Sequence, residues 1–381
     1  MPPTLSYILP TRDRPGELAR TLEALGAMGP HDAEVIVVDN ASVTRPHIAA
    51  RLSSGVPVAM LGRPRNDGAA ARNFGARVAA GQWLVMLDDD SAPTCDADTL
   101  LSALERQPDI VAAVMADIRL PAAGTREAGG LPEVFIGCGV AIRRDVFLAL
   151  EGYDPAFNYY VEEYDLAARM LLDGLRIAFE PSFTVKHRKV TAGRDMDLIL
   201  QRLVRNNSWV MQRYAPEARR REELRHIRTR YRGIARKEGA VLGYGAGLSD
   251  LRSTLASQPR REMPAPVFAR FTGLTAVRQS LDLALASRPI ATVSILAPGK
   301  NQHVIRQAVL ERGVRILESA DPDPARSDGD LTIIGTLSPG SMIDAARRHP
   351  AAFDAGRLIL PWTHAARVLR PARASLSVAA A

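Results

Sequence analysis

Two rhythms of apolar and polar residues alternate along the first half of the chain. Short, nearly continuous apolar runs recur at Leu5 to Leu9, Glu34 to Val38, Val56 to Leu61, Trp83 to Leu87 and Ile110 to Ala116. Such runs predict strands buried on both faces. Between the first two, Glu17 to Met28 carries Leu18, Leu22 and Leu25 at helical spacing and stops at Gly29-Pro30. A strand, helix, strand succession implies parallel strands joined by a right-handed crossover. Further on, the pattern predicts a helix over Thr99 to Arg106 capped by Asp98. A Gly/Ala-rich loop over Leu120 to Pro132 follows, expected to be mobile and to shape the substrate pocket. Phe135 to Ile142 reads as a strand with glycines at a point of close approach. Tyr159 to Leu172 leads into a helix closed by Gly174. Arg176 to Glu180 and Phe183 to Lys186 read as extended.

The second half changes character. Asp197 to Tyr214 is helical and rich in Arg and Leu. Arg219 to Lys237 is a dense basic run in which Leu224, Ile227, Tyr231 and Ile234 fall at helical spacing. Ser257 to Pro266 reads as a linker. From about Ile290 a strand and helix alternation restarts, at Thr292 to Ala297, Val304 to Arg312, Val314 to Leu317, Leu331 to Gly335, Met342 to Arg348 and Arg357 to Leu360. The expected division is therefore a catalytic α/β part over 1–195 and a basic helical segment over 196–256. A linker and helix over 257–288 then lead to a small Rossmann-like α/β unit over 289–381. The first loop of that unit, Pro298-Gly299-Lys300-Asn301, lacks G-x-G-x-x-G and P-loop spacing, so docking or packing is its expected role.

Composition narrows the class. The 381 residues, 46% hydrophobic and 24% charged, are those of a globular chain able to bury large cores. A net charge of +7 suits phosphate-rich ligands or an anionic membrane surface. Cys95 and Cys138 offer no disulfide framework and no metal-ligand spacing, and read as reduced thiols. Met1-Pro2-Pro3 leads straight into a strand without a basic and apolar leader, and no apolar run is long enough to span a bilayer. The expected location is cytoplasmic, with peripheral contact at the inner membrane face through Arg219 to Lys237. Nucleic-acid binding is not expected, because no aromatic stacking platform accompanies the basic run.

The candidate chemistry sits at strand ends. In open parallel sheets, ligands lie outside the carboxyl ends of the strands. Pro10, Thr11 and Arg14 follow the first strand and Asp39 ends the second; Asp39 could serve a ribose or base, or simply form a turn with Asn40. Asn66 to Gly68 is a turn before an Ala-rich helix start bearing Arg72, which suits a diphosphate or a plain surface helix. The fourth strand ends in Asp88-Asp89-Asp90. Three adjacent carboxylates repel one another, and a hard cation such as Mg2+ or Mn2+ would relieve that cost. In extended chain Asp88 and Asp90 share a face, so the outer pair is the expected metal site. The alternative is an acidic turn capping the next helix. Glu162, Glu163 and Asp165 fall in a first helical turn, where the macrodipole favours carboxylates. Glu163 is the candidate general base, kept ionised by that dipole, and Asp165 is expected to pair with Arg169 on the helix surface. His187, with Arg188, Lys189 and Arg194, is a third metal ligand or a phosphate contact, or else part of a solvated basic turn.

Taken together these stretches resemble the family 2 glycosyltransferases with the GT-A fold. The resemblance rests on Ile8 to Pro15, Val35 to Ser42, Asn66 to Gly75, Leu87 to Ser91, Gly152-Tyr153-Asp154 and Glu162 to Leu166 with Arg169, in the family's order. It implies a nucleoside-diphosphate-sugar donor, a divalent metal at Asp88 and Asp90, inversion at the anomeric carbon, Asp39 on the nucleotide and Glu163 as base. Many members have Glu-Asp where this chain has Glu162-Glu163, which keeps Glu162 as a second candidate. The implied acceptor is a hydroxyl of a glycan, a lipid-linked saccharide or a small glycoside. A nucleotidyltransferase is the enzyme alternative, disfavoured because Pro10 to Pro15 has no glycine to cradle a triphosphate. A catalytically silent sugar-nucleotide-binding or scaffold protein is the non-enzyme alternative.

Overall fold

A computed structural model describes residues 3–189, 195–318 and 329–369; Arg194 lies outside the described residues. The larger sheet contains β1 (Leu5–Thr11), β2 (Ala33–Asp39), β3 (Val58–Gly62), β4 (Trp83–Met86), β5 (Ser91–Pro93), β6 (Val111–Leu120), β7 (Thr125–Arg126), β8 (Val140–Arg143) and β9 (Arg176–His187). Its order is β3-β2-β1-β4-β8-β6-β9-β5, with β7 on β6. The first four strands in that order are parallel, as the strand and helix succession requires; beyond β4 antiparallel pairs enter at β8 and β5.

Side-chain alternation divides the strands between two core layers. Tyr7, Leu9, Val35, Val37, Val85 and Leu87 face one layer. Leu18 and Leu25 of α1 (Pro15–Gly26) cover it. Ile8, Ile36, Val38, Leu84 and Met86 face the other, covered by Ala71 and Ala76 of α2 (Ala71–Val78). Helices α3 (Ala97–Glu105), α4 (Arg144–Ala149) and α5 (Glu162–Leu172) complete the flanks. The first is capped two residues earlier than expected. Asp96 rather than Asp98 accepts the Thr99 N–H at 2.7 Å, because Asp98 already lies inside the helix.

Helices α6 (Met196–Tyr214), α7 (Glu217–Lys237) and α8 (Val241–Thr254) form a layer with its own core of Leu200, Val204, Tyr231 and Ala235. Next, α9 (Ala265–Phe271) and α10 (Leu274–Ser287) lead to a small parallel sheet of β10 (Thr292–Leu296), β11 (Arg315–Leu317), β12 (Leu331–Ile334) and β13 (Leu358–Ile359), ordered β11-β10-β12-β13. Helices α11 (Gln302–Leu310), α12 (Pro339–Arg347) and α13 (Pro350–Asp354) flank it.

The Gly/Ala-rich stretch 120–132 is docked, which corrects its reading as a free loop. Its Ala128 and Leu131 are buried. The Gly340 N–H donates to the Ala128 carbonyl at 2.8 Å, and Arg126 pairs with Asp344 of α12 at 2.8 Å. The strand expected over Phe135 to Ile142 contracts to β8, and the glycines before it form a loop.

Asp165 also departs from expectation. It does pair with Arg169, at 2.9 Å, but in the interior: its side chain is 1% exposed. Arg213 Nη1 donates to its Oδ1 at 2.9 Å and the Tyr214 hydroxyl at 2.7 Å. Arg213 also reaches Asp154 at 2.7 Å, and Arg169 donates to the Gly152 carbonyl. This one carboxylate therefore joins α5 to α6. Removing one partner of a buried ion network leaves uncompensated charge and costs about 3–5 kcal/mol. Asp165→Ala is expected to lower stability by that order in urea denaturation, well beyond the effect of Asp173→Ala on the exposed end of the same helix.

Candidate active site

The loops after β1, β2 and β4 converge on a cleft of about 780 Å³, within the usual size range of ligand sites. Pro10, Thr11, Arg14, Asn66, Arg72, Asp88, Asp89, Asp90, Glu162, Glu163 and His187, all singled out from sequence, line it. Asp39 does not. It is buried level with Thr11 in the sheet register, and its Oδ1 accepts the Ser42 N–H at 3.0 Å. The neighbouring Asn40 lines the cleft instead, its amide donating to Asn66 Oδ1 at 2.9 Å and to the Gly68 carbonyl at 3.1 Å.

The acidic segment is a tight turn rather than extended chain. The Ser91 N–H donates to the Asp88 carbonyl at 3.1 Å, and the Asp88 N–H donates to Ser91 Oγ at 2.8 Å. The alternation that would set Asp89 opposite its neighbours therefore does not operate. Arg14 bridges Asp89 at 2.7 Å and Asp90 at 3.2 Å. Thr11 Oγ1 donates to Asp89 Oδ2 at 2.9 Å. Asp88 pairs with Arg72, whose Nη2 also donates to the Leu87 carbonyl at 3.1 Å. Burial raises the Asp89 carboxyl to about 6, against the opposing pull of Arg14 and Thr11. Thus the protein's own cations neutralise much of the cluster, and Arg72 is engaged with Asp88.

The turn after β9 is equally committed. His187 Nε2 lies 3.2 Å from Asp90 Oδ1, and its Nδ1 lies 2.9 Å from Glu127 Oε2. Burial pulls its pKa down, but hydrogen bonds to Asp90, Cys138 and Glu127 prevail and push it up to about 12. Arg188 donates to the Asp89 carbonyl and to Glu17 Oε2, and Lys189 pairs with Glu127 at 2.7 Å. This is no solvated basic turn; it pins the acidic turn from behind.

Asp88 is the most accessible carboxylate of the three, its side chain 39% exposed against 5% for the others. One donor atom each from Asp88, Cys138 and His187 lie within 4.8 Å of one another. These are one oxygen, one sulfur and one nitrogen; of the three the carboxylate oxygen is the donor that suits a hard divalent cation such as Mn2+ or Mg2+. Cys138 carried no signal in the sequence because its neighbours here are some fifty positions away, and burial raises its thiol to about 11, which keeps it protonated.

Opposite the turn, Glu162 and Glu163 open α5. The backbone leading into them is left-handed at Asn158 (φ 62°), Tyr160 (φ 70°) and Val161 (φ 76°). Positive φ at a β-branched residue is a true outlier, and such positions persist only where the surroundings over-determine them. Here the buried Asn206 of α6 sends its amide to the carbonyls of Phe157, Tyr159 and Tyr160, at 3.0, 3.1 and 2.8 Å. The Ala69 N–H donates to the Asn158 carbonyl at 2.6 Å, and a Cβ at Gly68 would run into that same carbonyl. Burial raises both carboxyl groups, Glu162 the more strongly; desolvation outweighs the macrodipole that was expected to keep Glu163 ionised. The two differ in support. Glu163 Oε1 accepts the Gly137 N–H at 3.2 Å, whereas Glu162 Oε2 is buried without a partner among the described residues.

The far end of the cleft comes from segments that carried no motif. Met196, Ile199 and Leu203 of α6 supply an apolar wall, and Lys300 arrives from the loop after β10. Its Nζ hydrogen-bonds the Tyr164 hydroxyl and lies 4.6 Å from that ring's centroid. Burial lowers Lys300 to about 7.

Residues 6–147 match the family model described as Glycosyl transferase family 2. Over that stretch the chain is similar to the family 2 glycosyl transferases. It is 30% identical over 203 residues to an uncharacterized glycosyltransferase of Haemophilus influenzae, covering 47% of this chain and 64% of that protein. It is 29% identical over 237 residues to the O-antigen biosynthesis protein RfbC of Myxococcus xanthus, covering 52% of this chain and 18% of that one. The chain thus spans less than two thirds of the length of these relatives. Among solved structures, S. aureus TarS 1–349 in complex with UDP-GlcNAc aligns with TM-score 0.47 at 14% identity, covering 82% of this chain and 92% of TarS 1–349. The Pyrobaculum calidifontis mannosyltransferase PcManGT with GDP-Man and Mn2+ aligns with TM-score 0.44 at 16% identity, covering 76% and 82%. The glycosyl transferase match ends before Glu162, so the strained turn and its Asn206 clamp lie beyond it.

Asn206→Ala removes the amide donor of three carbonyls, of which the Phe157 contact is buried, and a buried unsatisfied group costs about 1–3 kcal/mol. The substitution is expected to lower the urea midpoint and to open the 157–161 segment to amide hydrogen exchange while leaving β1 to β4 protected.

Proposed function

We propose that the protein is an inverting glycosyltransferase that moves a sugar from a nucleoside-diphosphate-sugar to an acceptor hydroxyl. The observation that carries the reading is the meeting, in one cleft of the glycosyl transferase domain, of the acidic turn at Asp88 to Asp90 with the Glu162-Glu163 carboxylates. Pro10, Thr11, Arg14, Asn66 and Arg72, on the strand-end loops, form the donor side. Asp88 and Asp90, with His187, would hold Mn2+ or Mg2+ there. When bound, the ion would neutralise charge on the departing diphosphate. Lys189 and Arg12 stand on the same wall and can stabilise that charge as well.

Glu163 is the general base in this reading. Its carboxylate keeps a backbone donor at Gly137, so the ionised form is supported, and its raised pKa brings it nearer the working pH. It takes the acceptor hydroxyl's proton as the oxygen attacks the anomeric carbon; the bond to the diphosphate oxygen breaks on the opposite face. A single displacement of this kind inverts the centre and requires no covalent enzyme intermediate. Glu162 lacks a donor at Oε2 and serves less well.

The acceptor side is apolar along α6 and opens beside helices that favour a lipid-linked acceptor. Arg221, Arg225, Arg228, Arg232 and Arg236 are all exposed along one face of α7. Val241 and Leu242 follow at the start of α8, exposed by 55% and 83%. Among the described residues no helix is long and apolar enough to cross a membrane. A basic stripe ending in exposed apolar side chains instead suits the surface of an anionic leaflet.

Glu163→Gln is expected to cut turnover about 10²–10⁴-fold while calorimetry still detects nucleoside-diphosphate binding; normal turnover would remove Glu163 from the base role. Because the base must be deprotonated, wild-type kcat/KM should fall as pH drops through its raised pKa, a limb that Glu163→Gln lacks. A nucleotide-release screen across sugar donors, with and without Mn2+ or Mg2+, identifies the donor, and metal-independent release would refute the ion's role.

Vesicles containing an anionic phospholipid should retain the protein in flotation, and neutral vesicles should not. Since each basic residue near an anionic surface contributes about 1 kcal/mol, Arg225→Ala and Arg228→Ala should each weaken retention about fivefold.

A further inference from the structure

Away from the cleft, where α7 meets α11, three side chains converge that the proposed reaction does not use. Glu223 and His226 lie three residues apart on α7, hence on one face. His303 sits in the first turn of α11. One donor atom from each lies within 4.8 Å of the other two. His303 Nε2 is 3.9 Å from Glu223 Oε2, and the two imidazole centroids are 4.3 Å apart.

The contacts of this cluster are incomplete in a way that points to a ligand. His226 Nδ1 and His303 Nε2 are both buried and neither has a hydrogen-bond partner among the described residues. Buried polar atoms are ordinarily satisfied, so two orphan imidazole nitrogens on rings beside one carboxylate require an explanation. Glu223 is itself buried. Its Oε1 takes a 3.5 Å contact from Arg219, which also reaches Gln307 of α11 at 3.2 Å; Oε2 is the oxygen facing His303.

We propose that Glu223, His226 and His303 form a structural site for a divalent transition metal, Zn2+ in the first instance, that ties the basic helix α7 to the C-terminal α/β unit. Two imidazoles and a carboxylate are a characteristic zinc donor set, with a water completing four-coordination. Ligand atoms around tetrahedral zinc stand roughly 3.3–3.5 Å apart, so small rotamer adjustments would close the site. The Arg219 contact with Oε1 leaves Oε2 for the ion and orients the carboxylate from behind, as outer partners do in metal sites. The ion would hold the exposed arginine face of α7 at a fixed angle to the second sheet.

The test strips the full chain with a chelator, adds Zn2+ alone, removes excess by gel filtration and counts retained metal by mass spectrometry. About one equivalent of Zn2+ per chain should remain with wild type, and equally with Asp88→Asn, which removes a donor from the separate cleft group. It should be lost in His303→Ala and in Glu223→Gln, both checked for folding by far-UV circular dichroism. Zn2+ at a hundredfold excess over Kd should raise the unfolding midpoint of wild type by roughly 4 °C and leave that of His303→Ala unmoved. Equal retention in wild type and His303→Ala, loss in Asp88→Asn, or no retention by wild type would overturn the proposal; the last would leave ordered water as the partner of both nitrogens.

Discussion

Three consecutive carboxylates at the end of a buried strand can be maintained only if each is given a counter-charge, and the cleft is built around that requirement. Arg72 takes Asp88, Arg14 takes Asp89 and shares Asp90, and His187 meets Asp90 from the other side. These cations come from α2, from the loop after β1 and from the end of β9. Neutralising the turn therefore fixes the relative position of three strand ends. Arg188 and Thr21 then hold the Asp89 carbonyl, so the backbone of the turn is as determined as its side chains. Charge repulsion alone consequently does not call for a metal. The argument for one rests instead on the exposure of Asp88 and on the donor atoms that stand near it.

The opposing carboxylates are held by a different device. Glu162 and Glu163 follow three left-handed residues, a sequence of conformations that local preference opposes. Asn206 makes it stable by satisfying carbonyls that a tight turn would otherwise bury without partners. Asp165 fastens the same helix to α6 through Arg213 and Tyr214. The helical segment after β9 is thus structural support for the Glu162-Glu163 wall of the cleft. The acidic turn and the strand-end loops lie within the stretch matched by the family model, while the carboxylates facing them depend on α6, outside that stretch.

Much of this was legible in sequence because it depends on short-range patterns. Apolar runs gave the parallel strands, and chain order brought Thr11, Arg72 and Asp88 to one edge. What was misread depends on long-range contacts. The alternation rule failed at Asp88 to Asp90 because a Ser91 hydroxyl closes a turn there. Asp165 looked like a surface residue because its pairing with Arg169 is local, whereas its burial depends on Arg213 and Tyr214. Cys138, Asn206 and Lys300 carried no signal, since their significance arises only from partners distant in sequence. Asp39 shows the converse: a strand-end position is necessary for lining a cleft but does not suffice, and Asn40 next to it faces the space.

The C-terminal α/β unit is the strongest case of function hidden from local pattern. Its first loop has no phosphate-binding signature, yet in position that loop occupies the place at the end of β10 where ligands of such sheets are held. Here the loop faces the larger α/β part of the chain: the Gly299 N–H is tied back to the Gly335 carbonyl, and Lys300 reaches the hydroxyl of Tyr164, the residue next to Glu163. One apolar core runs from Ile8 and Met86 through Phe271 to Val293 and Ile305, so the small sheet cannot swing away without exposing it. A lysine buried against a tyrosine hydroxyl, with burial pulling its pKa to about 7, stands within electrostatic reach of Glu163. The unit expected to dock or pack therefore also contributes a titratable group to the far end of the cleft.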